Sequence, residues 1–255
     1  MFKLLKYELR KNRAALLVLL AVLAAIEIYF LASVRAGSDD DVIISVTLMV
    51  FAFFALAAAV FVLGVSAYSG ELKRKSSYLV FMTPHSTLAI VASKLLFTLA
   101  VGLLFAALAT FLLIADMPVL TEYYGEWTGY YLLFDELLLQ RGVSLSKIAM
   151  GVALTVTQLF LEVLSIVAVA YFSITLSATI LQNRKARGLL SFLFFALIVF
   201  ALTRISGLLW METAFEGGVT ISFAQALAPS IVESALVLLA ALFGSAALLK
   251  RHVSL

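Results

Sequence analysis

A chain of 255 residues that is 64% hydrophobic and only 13% charged, with a mean hydropathy of +1.12, falls far outside the range of soluble domains. It is a membrane protein by composition, and the absence of cysteine excludes a disulfide framework or a thiol site. The formal net charge of +3 is carried in short patches with no basic face or stripe, which excludes nucleic acid as a partner.

The chain starts MFKLLKYELRKNR. At 100° per residue, Phe2, Leu5 and Leu9 share one face and Lys3, Lys6, Arg10 and Arg13 another, so residues 1–13 are expected to form a short interfacial helix. The apolar run that follows, Ala14–Val34, is longer than the roughly 7–15 residues of a signal-peptide core, which makes it a retained first span. Further runs cover Val42–Tyr68, Ser93–Ala115, Ile148–Leu181, Leu189–Leu209 and Gln225–Leu249. Each reaches the roughly 20 residues that a bilayer requires, and each is apolar all round, as lipid-embedded helices are. The expected fold is therefore all-α: a single transmembrane domain over 1–255 with six transmembrane helices.

Loop charges orient the spans. Lys3, Lys6, Arg10, Lys11 and Arg13 precede the first span, and Lys73, Arg74 and Lys75 separate the second from the third. Arg184, Lys185 and Arg187 separate the fourth from the fifth, and Lys250 and Arg251 follow the sixth. The opposite side carries Asp39, Asp40, Asp41, Asp116, Glu122, Glu126, Asp135, Glu136, Glu212 and Glu216. Because Lys and Arg concentrate in cytoplasmic loops, both termini are expected in the cytoplasm. The longest outer loop is then 116–147, whose TEYYGEWTGYYLLFDELLLQ suits either a cap resting at the headgroups or a substrate-capturing lid. Between the last two spans, Gly217-Gly218 permits either a re-entrant turn or a plain loop.

The cytoplasmic segment 69–86 contains GELKRKSSYLVFMTPHS. Tyr78, Leu79, Phe81 and Met82 form an apolar knob on a basic stem, and Pro84 ends any helix before it. Physical chemistry leaves two readings open: an interfacial segment dipping into lipid, or a docking knob for a soluble protein. This stretch resembles the loop between the second and third spans of type-2 ATP-binding-cassette (ABC) transporter permeases. The resemblance rests on Glu71, Lys73–Lys75, Leu79–Met82, Thr83-Pro84 and Lys94 in HSTLAIVASKLL, and more weakly on ILQNRKARGLLSF before the fifth span. An amphipathic N-terminal helix, six spans and internal termini are also similar to that family.

The resemblance implies a coupling helix between the second and third spans, built from Glu71, Lys73, Arg74, Lys75, Tyr78, Leu79, Phe81, Met82 and Pro84. It would seat in a nucleotide-binding subunit. It implies two copies of a separate ABC ATPase as partners, which bind the ATP and Mg; this chain itself carries no cofactor. It also implies a second permease chain, in a homodimer or a heterodimer, and export, with a hydrophobic or amphipathic peptide as the favoured cargo. A compact permease with no fused ATPase points to the cytoplasmic membrane of a bacterium or archaeon. The sequence agrees that this chain is not the motor, since no G-x-x-x-x-G-K-[ST] loop occurs and no enzyme is expected here. His85 and His252 are the only histidines and lack ligand spacing, so no metal site is expected.

Ionisable groups inside apolar runs cost about 2.5–3.5 kcal/mol each at a span centre and should face protein or water. Glu162 shares a stripe of the fourth span with Thr155, Gln158, Ser165 and Ser173, which suits interhelical hydrogen bonds or a polar translocation path. Glu27, Arg204 and Glu233 all fall in the outer half, where Arg204 and a glutamate could pair. An alternative function follows from the same residues: a stand-alone ion-coupled secondary transporter, with Glu27, Glu162 and Glu233 as proton or cation sites.

Overall fold

The computed structural model describes residues 2–73, 86–124, 145–180, 187–216 and 223–253. All regular structure among the described residues is helical: α1 (Phe2–Lys11), α2 (Arg13–Ala36), α3 (Asp39–Lys73), α4 (Thr87–Tyr124), α5 (Leu145–Ile180), α6 (Arg187–Glu216) and α7 (Phe223–Val253). Helices α2 to α7 are six elements long and apolar enough to cross a membrane, so the chain is a multi-pass membrane protein. Lipid offers no hydrogen bonds, and a helix satisfies its backbone within itself. That is why these uninterrupted apolar runs fold as they do.

Several helices outrun their apolar runs. Helix α3 has 35 residues and α4 has 38. At 1.5 Å per residue, 35 residues span about 52 Å, against a hydrocarbon core of about 30 Å. The expected loop 116–147 is accordingly shorter at both ends: α4 continues through Pro118 to Tyr124, and α5 opens at Leu145. Pro118 removes one backbone donor, a defect that membrane helices accommodate, and the Thr121 hydroxyl donates to the Pro118 carbonyl at 2.8 Å. Asp116, read from sequence as the first loop residue, is therefore helical, and it is buried. The expected segment 69–86 likewise begins as helix, since α3 runs to Lys73.

The chain divides into two compact units, residues 1–63 with 96–144 and residues 64–95 with 145–255. In the first unit, α1 is joined to α2 at Asn12, whose side-chain amide donates to the Glu8 carbonyl at 3.1 Å. Helix α2 ends at Gly37, whose φ of +70° lies in the left-handed region that glycine adopts without a Cβ penalty. Its N–H donates to the Val34 carbonyl at 3.2 Å, and α3 starts two residues later. The α2–α3 hairpin closes on fully buried Phe30 and Val42 and on Ser33 and Ser45, whose hydroxyl oxygens are 3.1 Å apart. At the far end of α4, Tyr123 donates to Asp39 Oδ1 at 2.7 Å.

In the second unit α5 is the central helix, packed against α6 and α7, and it is the most enclosed of the spans. Val167 to Tyr171 form an unbroken buried run, which a helix shows only when neighbours cover it on several sides. Gly244 on α7 lets the Phe172 ring come close, and the hydroxyls of Ser177 and Ser191 meet between α5 and α6. Across the helix ends, Thr87 Oγ1 donates to the Ala246 carbonyl at 3.3 Å.

Candidate functional site

Polar chemistry in the second unit concentrates where α3 ends and α4 begins, on either side of residues 74–85. Glu71 sits in the last turn of α3 and Lys94 in the second turn of α4, and their side chains form an ion pair. Lys94 is almost wholly buried, with a relative exposure of 3%. A buried charge is tolerated only when paired and hydrogen-bonded, so each residue holds the other in place.

One turn before Glu71, the Tyr68 ring stacks on Tyr171 of α5, with centroids 4.3 Å apart and planes 20° apart. The Tyr68 and Thr175 hydroxyl oxygens are 2.5 Å apart. Thr175 also donates to the Tyr171 carbonyl at 2.8 Å, which leaves Tyr68 as the donor between them. Tyr171 in turn donates to the Gly64 carbonyl of α3 at 3.1 Å. The final turns of α3 are thus fixed to α5 by two crossed tyrosines and to α4 by an ion pair. Each of these groups is engaged in an ion pair, a hydrogen bond or a ring stack. The arrangement ties the helix ends on either side of residues 74–85 into the second unit.

The crossed tyrosines make a quantitative expectation. Replacing Tyr171 with Phe keeps the stack and removes one buried hydrogen bond, which should lower stability by about 1 kcal/mol. Denaturation of the purified chain in mixed micelles measures it. An unchanged midpoint would show that the hydroxyl contributes nothing there.

Of the residues singled out from sequence, Glu71 and Lys73 close α3. Arg74, Lys75, Tyr78, Leu79, Phe81, Met82 and Pro84 lie outside the described residues, as does the outer-loop stretch 125–144. The stripe on α5 divides. Gln158 donates to Ser234 Oγ of α7 at 3.3 Å, an interhelical bond. Ser165 and Ser173 are buried and donate to the carbonyls of Glu162 and Val169, both at 2.8 Å. Thr155 and Glu162 lie on exposed faces, Glu162 near the middle of the helix.

The three outer-half charges also separate. Arg204 is exposed and rests over the Phe200 ring, 5.1 Å from its centroid. Glu233 accepts a hydrogen bond from Ser206. Glu27 belongs to the first unit, where its carboxyl meets that of Asp116. Sequence reasoning passed over this partner because Asp116 looked like a loop residue. It also passed over the Tyr68–Tyr171–Thr175 cluster, which is submerged in apolar runs. A signal was present for Glu71 and Lys94, two opposite charges that flank one segment from adjoining helix ends. Among the described residues no group of three or more His, Cys, Asp or Glu could hold a metal ion. No family model, curated protein or solved structure matches the chain.

Proposed function

We propose that this chain is the membrane-spanning permease subunit of an ABC exporter, and that residues 71–84 couple it to a separate ATPase. The observation that carries this reading is the buried Glu71–Lys94 pair with the tyrosine cluster behind it. A loop that only rested on lipid would need no such bracing. A segment that receives force from a partner needs stiff anchorage at both ends, and here each end is tied into the bundle. The resemblance of GELKRKSSYLVFMTPHS to the coupling segment of type-2 permeases supports the same conclusion.

In this reading both termini are cytoplasmic, as the Lys and Arg distribution favours. Two permease chains and two ATPase chains assemble, with two-fold symmetry the default for identical permeases. ATP-driven closure of the ATPases pushes the knob of Tyr78, Leu79, Phe81 and Met82, and α3 and α4 carry the movement through the membrane. The exposed Glu162 then belongs to the surface that a second permease chain or the cargo path covers, because an ionisable group at mid-span is costly against lipid. The cargo class is a hydrophobic or amphipathic peptide.

The test is isolation of the tagged chain from its native membrane in mild detergent, with stoichiometric partners identified by mass spectrometry. An ATPase is expected to co-purify and to be lost from the Phe81→Asp, Met82→Asp double variant, whose spans should stay folded. A chain that emerges alone and folded, or an ATPase still bound to the double variant, would overturn the coupling assignment.

A further inference from the structure

We propose that Glu27 and Asp116 form a proton-binding dyad between α2 and α4, in which one proton is shared by two carboxyl groups inside the membrane. The site lies wholly in the first unit and does not depend on an ATPase partner.

The two carboxyl groups face each other, and neither Glu27 Oε2 nor Asp116 Oδ2 is reached by a donor. An ionised carboxylate only accepts hydrogen bonds, so the two groups can bond to each other only while one of them holds a proton. The surroundings favour that state. Asp116 has a relative exposure of 4%, and Glu27 Oε2 and Asp116 Oδ2 are both buried with no hydrogen-bond donor on the protein. Among the described residues, no cation forms an ion pair with either group. Nothing there compensates a second negative charge, and two like charges in contact in a low-dielectric site cannot both persist.

Depth makes the same point. Glu27 lies nine residues before the end of α2 and Asp116 eight before the end of α4. At 1.5 Å per residue both are about 12–14 Å in from their helix ends, so equal depth lets them meet. A metal ion fits poorly as the ligand: calcium or magnesium takes six or more oxygen ligands, and no third acidic residue or histidine joins this pair among the described residues. A proton needs only two oxygens. When it leaves, it passes from the protonated carboxyl to water and both groups become carboxylates. The site therefore empties only as α2 and α4 separate or water enters between them, which links proton release to movement of these helices.

The test uses the full chain in lipid nanodiscs and infrared difference spectroscopy of the protonated-carboxyl band, assigned by its shift in D2O. At neutral pH the wild type should show this band. Glu27→Gln and Asp116→Asn should each abolish it, because the new carboxamide supplies the donor and lets the remaining carboxyl ionise. A wild-type spectrum without the band overturns the proposal whatever the variants do. A band that persists in the Glu27→Gln, Asp116→Asn double variant comes from another carboxyl and overturns it equally. A band retained in either single variant shows burial of one acid and rules out sharing.

Discussion

Replacing Lys94 with Met is expected to destabilise the second unit by about 3–5 kcal/mol, because it breaks a largely buried ion pair between α3 and α4. The methionine fills a similar volume, so the loss reports charge and not a cavity. Adding Glu71→Gln to Lys94→Met removes the opposite charge as well, and the double variant should recover most of the lost stability. Denaturant titration in mixed micelles reads both steps as a free-energy difference. If the double variant loses as much as the two single losses added together, the side chains act independently and the brace at the base of α3 and α4 does not exist.

Gly244→Leu should be comparably damaging, through sterics alone. A Cβ built at Gly244 would sit 2.8 Å from Cε2 and 3.1 Å from Cδ2 of Phe172, closer than carbon atoms tolerate. The ring is on the central helix α5, which packs against α7, and must shift to make room. Overpacking of this sort costs about 1–3 kcal/mol, and a leucine should reach the upper end. Even alanine should lose, since the gain in helix propensity over glycine is only about 1 kcal/mol. Gly207 provides the control, for a Cβ there meets nothing within 4 Å, and Gly207→Ala should be neutral or slightly stabilising. Thermal melts of the three variants in one detergent decide the matter. Equal melting temperatures for Gly244→Leu and wild type would mean that α5 and α7 do not pack at this point.

The six spans were legible because lipid imposes one rule on every helix: about 20 apolar residues with the backbone satisfied internally. Their ends were less so. Asp116 read as loop, yet a membrane helix tolerates a proline where a soluble one would break, so α4 runs on through Pro118 to Tyr124. The amphipathic start was legible from periodicity, and α1 covers Phe2–Lys11. Pairings were harder. Glu27 was grouped with Arg204 and Glu233 by depth and side, but depth alone does not say which helices are neighbours. Only packing could set Glu27 against Asp116. Tyr68 and Tyr171 count simply as apolar residues in a hydropathy window, and nothing in one sequence reveals that residues so far apart cross their hydroxyls.

Ser33, Ser93, Ser173, Thr175 and Ser245 each bond a carbonyl within their own helix, so these hydroxyls are satisfied as soon as the helix forms. Biosynthesis treats the acids differently. Glu71 and Lys94 emerge on consecutive helices and can enter the bilayer together as one hairpin, already neutralised as a pair. Glu27 leaves the ribosome with α2, before α3 and α4 have been made, and has no internal partner to wait with. It must either cross into lipid as the neutral acid or linger beside the insertion machinery until Asp116 arrives. The second route would make α2 the helix whose integration is completed late, although it is the first span to appear.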